Sequence, residues 1–344
     1  MDSLTQIVLG ASVGEVVAGK KLGNKALLWG AIAGTIPDLD VLVNPWLDMV
    51  QQLSFHRSIT HSFLFALVMS PLLGWLLHRL YKKQEAGVWR WTLLFFFGFT
   101  THALLDACTT WGTQLFWPFS NYGVAFYNIF VIDPLYTLPF LGFTVAASFY
   151  SRQSLTRRKL NYTGLALSTT YLLLSFVFKS QANQVFEQNF KAQDIDQNSY
   201  ISKPTPLNTI FWSVTAKTEN GFYNGFYSLA DEDKQVALEY EPQQKQLLEP
   251  FLGHPKLDRL LELTKGYYTV EPAPDRGVYI NDLRFGKFDG WRKDGGGYVF
   301  VYHIWKDESG QLQYEEINNR PSIDRNYLEA YWERITGNKV AAAR

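Results

Sequence analysis

Residues 91–107 read W-T-L-L-F-F-F-G-F-T-T-H-A-L-L-D-A, an apolar run that carries two ionisable side chains, His102 and Asp106, towards its end. Four residues apart, the two project from one face of a helix. A bilayer's hydrocarbon core takes roughly 20 helical residues to cross, so a run of this length reads as a membrane span. Ionisable groups inside a span cost about 2.5–3.5 kcal/mol each near its centre, and they persist when paired, hydrated or bound to a metal.

Working outward, residues 59–80 and 161–178 are apolar runs of similar length. Residues 131–150 form another, with two prolines that membrane helices tolerate. Residues 4–19 and 26–43 are shorter, Gly-rich and interrupted by Glu15 or by Asp38 and Asp40. They read as full spans or as short helices buried against the others. The expectation is an α-helical membrane bundle of about four to six transmembrane or re-entrant helices. No signal peptide is expected, because Asp2 stands where a basic n-region would be.

All these runs lie before residue 181. Residues 1–180 carry a net charge of +5 and residues 181–344 a net charge of −5, which cancel over the 344-residue chain. A neutral chain lacks the broad basic surface that drives nucleic-acid binding. A lone cysteine, Cys108, excludes an intramolecular disulfide and a cysteine-built zinc or iron–sulfur site. Residues 181–344 read as a soluble α+β domain with an antiparallel sheet. Residues 212–229 have the pattern of a hairpin around Asn220-Gly221, and residues 267–270, 277–285 and 298–305 read as further strands. Residues 255–265 and 323–337 have helical spacing. The sequence divides into a membrane-embedded domain, 1–180, and a soluble domain, 181–344.

Basic residues fill alternate loops: Lys20, Lys21 and Lys25; Arg79, Lys82, Lys83 and Arg90; Arg152, Arg157, Arg158 and Lys159. Cytoplasmic loops carry such an excess, so the other loops and the C-terminal domain are expected on the periplasmic side of a bacterial inner membrane.

The remaining polar residues gather at the outward ends of the apolar runs. Asp38 and Asp40 lie in P-D-L-D, His56, Arg57 and His61 in H-R-S-I-T-H-S, and His102 and Asp106 in T-H-A-L-L-D. Asp133 opens the next run and reads equally as a ligand or a helix N-cap. Taken singly, the aspartates can be caps, His102 and Asp106 a hydrogen-bonded pair, and Arg57 an interfacial residue. Together, three imidazoles and three or four carboxylates at one depth suit one or two divalent ions, and mixed His/Asp sets are typical of hydrolytic zinc or di-metal centres. Glu15 lies nine residues beyond Gln6, roughly 13 Å further along a helix, and is expected to pair with a neighbour or with Lys20 rather than to ligate. His78, His254 and His303 read as interfacial, surface or core imidazoles.

The motifs P-D-L-D (37–40), H-R-S-I-T-H-S (56–62) and H-A-L-L-D followed by W-P-F (102–106, 117–119) resemble the YdjM-type family of bacterial inner-membrane, metal-dependent hydrolases. The resemblance covers about residues 1–150. It implies metal ligation by Asp38, Asp40, His56, His61, His102 and Asp106. Gln6 stands where the family's frequent M-D-x-x-T-H opening has histidine.

The function expected is hydrolysis, by a metal-activated water, of an ester or phosphoester of a lipid or lipid-linked molecule. Asp40 is a further ligand or the general base, and Arg57 neutralises an anionic group of the substrate. The alternatives are a metal or proton transporter and a non-catalytic assembly protein braced by a structural metal. The oligomeric state is not legible.

Overall fold

The computed structural model describes residues 1–82, 86–292, 295–317 and 323–339; Lys83, one of the loop cations, falls outside them. The chain divides into two compact units. One comprises Met1–Leu47, Ser54–Phe176 and Pro206–Asn208, the other Asp48–Leu53, Val177–Thr205 and Thr209–Arg344.

The first unit is helical. Helix α1 (Ser3–Leu22) is capped by the Asp2 carboxylate, which accepts from Thr5 N, and ends at Gly23, whose φ of 58° suits a residue without Cβ. Helix α2 (Asn24–Thr35) lies against it glycine to glycine. A Cβ on Gly30 would fall 2.2 Å from the Gly10 carbonyl oxygen, and one on Gly34 2.3 Å from that of Gln6. Such small-residue contacts let helices approach closely without a hydrophobic driving force. Beyond Thr35, Pro37 lacks the N–H that would continue the ladder, and the chain tightens into a 3-10 run, Ile36–Trp46, that carries Asp38 and Asp40.

Along the chain follow α3 (Met49–Phe55), most of which belongs to the second unit, a 3-10 turn (Ile59–His61), α4 (Phe63–Leu80), α5 (Gly87–Ala107), α6 (Pro134–Ser148) and α7 (Leu155–Ala192), which belongs to the second unit from Val177 on. Helix α5 packs on α1, α2 and α4. Its Trp91, Leu94, Phe95 and Phe99 share a core with Ala18, Ala26, Ala33 and Ala66. Val8, Leu9 and Val13 of α1 pack instead with Tyr136 and Phe140 of α6. Among the described residues two helical stretches are long and apolar enough to cross a membrane, Asn24–Trp46 and Phe63–Leu80. Both leave leucines outward, such as Leu28, 57% exposed, and Leu67, 63% exposed. Two is fewer than the four to six expected. Residues 91–107 are diluted chiefly by His102 and Asp106, and residues 161–178 by Asn161 and several Thr, Ser and Tyr, which lower their mean hydropathy.

The second unit holds two antiparallel four-stranded sheets where one was expected. The first runs β1 (Ser199–Pro204), β2 (Phe211–Lys217), β3 (Gly221–Ser228), β4 (Leu238–Pro242), in chain order. The second runs β5 (Tyr268–Pro272), β6 (Val278–Asp282), β7 (Val301–Lys306), β8 (Leu312–Ile317). Helices α8 (Pro255–Leu263) and α9 (Arg325–Ile335) match the two expected helical stretches. The Asn220-Gly221 turn joins β2 to β3, with Trp212 opposite Tyr227. Strand β2 is buried on both faces. Trp212, Val214 and Ala216 meet Ala182, Val185, Phe186 and Phe190 of α7, whereas Phe211 meets Trp291, Tyr331 and Ile335. Strand β1 and the polar edges β4 and β8, L-E-Y-E-P and L-Q-Y-E-E-I, lie outside the expected strands, and β4 and β8 carry too little alternation to be read in advance.

Candidate metal centre

Three elements of the first unit bring ligand-type side chains together. The 3-10 run contributes Asp38, the 3-10 turn before α4 contributes His61, and the last turns of α5 contribute His102 and Asp106. One ligand atom from each of the four lies within 4.8 Å of all the others. His61 Nε2 is 3.1 Å from His102 Nε2, 3.4 Å from Asp38 Oδ1 and 3.4 Å from Asp106 Oδ2. His102 Nε2 is 3.4 Å from Asp38 Oδ1 and 3.9 Å from Asp106 Oδ2.

These spacings suit a cation. A tetrahedral ion with bonds of about 2.1 Å to nitrogen and oxygen has ligand-to-ligand edges of about 3.4 Å. The protonation pattern agrees. His102 Nδ1 lies 2.8 Å from the Gly34 carbonyl oxygen, which can only accept. The neutral ring therefore carries its hydrogen on Nδ1 and turns the Nε2 lone pair into the cluster. Asp106 Oδ2 is buried without a hydrogen bond, although Arg57 Nε approaches to 3.0 Å. The four residues form a cluster able to hold a metal ion.

Access is one-sided. The His61, His102 and Asp106 side chains are 1% exposed or less, whereas Asp38 is 24% exposed.

Asp40 and His56 sit beside the four-atom set. Asp40 is 3.7 Å from His61 Nδ1, on the side of the ring away from the cluster, and 3.0 Å from His56 Nδ1. It also accepts from the Arg57 backbone N–H at 3.1 Å and from the Thr60 hydroxyl at 3.3 Å. Arg57 has a left-handed φ of 62°, a conformation that costs a non-glycine residue of order 1–3 kcal/mol. The bond to Asp40 and another from Gln114 N to the Arg57 carbonyl, 2.9 Å, hold it there. The Arg57 guanidinium is buried, with Nε on Asp106 and Nη1 donating to the Thr109 hydroxyl at 2.9 Å.

Gln6 is buried and donates from Nε2 to Asp106 Oδ1 at 2.9 Å and to the His102 carbonyl at 3.2 Å. The α-amino nitrogen of Met1 also contacts Asp106. Asp133 caps α6 by accepting from Leu135 and Tyr136 N, and its other oxygen accepts from the Tyr171 hydroxyl, so of its two readings the cap describes its contacts. Glu15 pairs neither with a sequence neighbour nor with Lys20 but with Arg157, 142 residues further along the chain. His254 bonds Tyr314 and His303 bonds Asp275. Sequence reasoning missed Thr109 and the Gly34 carbonyl. A backbone carbonyl leaves no mark in a sequence, and Thr109 is marked only by lying one turn beyond Asp106.

The profile of the YdjM inner membrane protein family matches residues 1–182, which include every residue of this cluster. The chain belongs to that family. It is 25% identical over 236 residues to the uncharacterized protein YfhP of Bacillus subtilis (strain 168), covering 65% of this chain and 68% of the relative. It is 31% identical over 120 residues to the inner membrane protein YbcI of Escherichia coli (strain K12), covering 34% of this chain and 68% of the relative. No solved structure matches. Family and relative thus mark an inner membrane protein, and the second unit lies almost wholly beyond the YdjM match.

Proposed function

We propose that this YdjM-family protein is a multi-pass, metal-dependent hydrolase that cleaves an ester or phosphoester of a lipid or lipid-linked molecule, with its second unit on the periplasmic side. The observation that carries the reading is the convergence of Asp38, His61, His102 and Asp106 at separations a small divalent ion requires, with one side open at Asp38. When bound, such an ion, zinc by its suitability for imidazole and carboxylate, lowers the pKa of a bound water towards about 7.

The chain's residues supply positioning. The Gly34 carbonyl fixes the tautomer and plane of His102. Asp40 faces His61 from behind and organises the loop through His56, Arg57 N and Thr60, which makes it a positioning residue in this reading. Arg57 offsets the charge of Asp106 and is the guanidinium nearest an anionic substrate group. Entry is on the Asp38 side, where the cluster meets solvent. A lipid substrate follows from the family's place in the inner membrane and from a site at the ends of apolar helices.

The test is incubation of metal-loaded protein with extracted membrane lipids, followed by thin-layer and mass-spectrometric profiling. A product absent with Asp38→Asn supports the reading; unchanged lipids with demonstrably loaded protein overturn it. The near-complete burial of three ligands favours a second reading, a metal that braces the helices. In that case His61→Ala lowers thermal stability and turnover is never seen. A transport path gains little support, because Glu15, further along α1, has both oxygens on Arg157.

A further inference from the structure

At the other end of α1 from Gln6, the first unit holds a cavity of about 260 Å³. Its walls carry Lys20 and Lys21 from the last turn of α1, Arg90 from the start of α5 and Arg158 from the start of α7. Glu15 and Asn161 also line it, but their polar atoms are engaged. The Glu15 oxygens accept from Arg157 Nε at 2.7 Å and Nη2 at 2.6 Å, and the Asn161 amide bonds Ser12 twice. Among the described residues no acid pairs with Lys20, Lys21, Arg90 or Arg158. Among the described residues, four cations without an acid partner therefore line one cavity whose own carboxylate, Glu15, is already paired. Beside them the lining turns apolar at Val16, 44% exposed, and amphipathic at Tyr162, 49% exposed.

We propose that this cavity binds a phosphate-bearing anion, supplied by the headgroup of an anionic phospholipid. Lysine and arginine lining one cavity offer several donors to a phosphate's acceptor oxygens. Basic pockets between membrane helices are where acidic headgroups dock. The apolar neighbours give the attached acyl chains a surface that a free phosphate would not use. The inference rests on the inner-membrane character of the family and is independent of the metal centre, which lies on the far side of Glu15, itself roughly 13 Å from Gln6 along the helix.

The full chain, purified in detergent, is titrated with phosphatidylglycerol, phosphatidylcholine or inorganic phosphate and followed by native mass spectrometry. The expected result is preferential retention of phosphatidylglycerol, weakened about tenfold or more in Arg90→Gln/Arg158→Gln. Saturable binding of inorganic phosphate that depends on the same arginines, without a lipid preference, also supports the anion site and assigns it a soluble source. Equal retention of all three probes, or retention unchanged by the substitution, overturns the proposal. Metal content and melting temperature check that the variant is folded. Should it not fold, Lys20→Gln/Lys21→Gln, whose side chains are exposed, carries the same comparison.

Discussion

His61 Nε2 and His102 Nε2 face each other at 3.1 Å, although 41 residues separate them in the chain. With the His102 hydrogen committed to Gly34, its Nε2 can only accept, either a hydrogen from His61 or a bond to a cation that both rings share. Two carboxylates at 3.4 Å from His61 Nε2 make the shared cation the better use of the geometry. The protein is therefore expected to purify with a divalent ion, and His61→Ala or His102→Ala to reduce it to background by elemental analysis. Ligands that act as a unit are non-additive, so the double variant loses no more than either single one.

Asp40 makes a different prediction. It contacts His61 through the ring nitrogen turned away from the cluster, so Asp40→Asn leaves all four nearest ligands in place. Partners one layer behind a ligand typically change metal affinity about 10–100-fold. Asp40→Asn should weaken metal binding by that order in a competition titration with a chelator, yet load fully at excess metal. Complete failure to load would make Asp40 a direct ligand.

The Glu15–Arg157 pair joins α1 to α7 inside the first unit, with side chains 4% and 1% exposed. Removing one partner of such a pair strands a buried charge and costs about 3–5 kcal/mol, whereas replacing both with apolar residues is often close to neutral. Arg157→Met should lower the detergent melting temperature sharply, and Glu15→Met/Arg157→Met should recover most of the loss. If the double variant melts no higher than the single one, the other Arg157 bonds, to Asn24 and to the Tyr150 carbonyl, hold the helices instead.

What the sequence disclosed was chemistry placed where chemistry is expensive. His102 and Asp106 stood out because an apolar helix has no other use for them, and Asp38 and His61 because they recur at the ends of neighbouring runs. That Asp38 joins the four-residue set while Asp40 stands behind His61 was not legible. Two aspartates, two residues apart, look alike in P-D-L-D, and a 3-10 path after Pro37 decides which turns inward. The partner of Glu15 was equally hidden, since Lys20 is near in sequence and Arg157 near only in space. In the second unit the hairpin around Asn220-Gly221 and strands β5, β6 and β7 were visible, and β1 and the polar edges β4 and β8 were not.

Lys203 of β1 supplies the last test, one confined to the second unit. Asp282, the carboxylate whose charge favours its protonated form, is already held by Arg284, whose Nη2 donates to it at 2.6 Å. Burial pushes the Lys203 ammonium down to about 7; Asp282 opposes that shift and Arg284 adds to it. An unfolded lysine titrates near 10.4, so between about pH 7 and 10 the unfolded chain holds a proton that the folded chain has released. Folded stability must then rise with pH across that window. In Lys203→Met the contribution disappears. The variant should melt above the wild type at pH 7 and below, with the difference shrinking as pH approaches 10. A difference that stays constant from pH 6 to 10 would show that Lys203 keeps its charge in the fold.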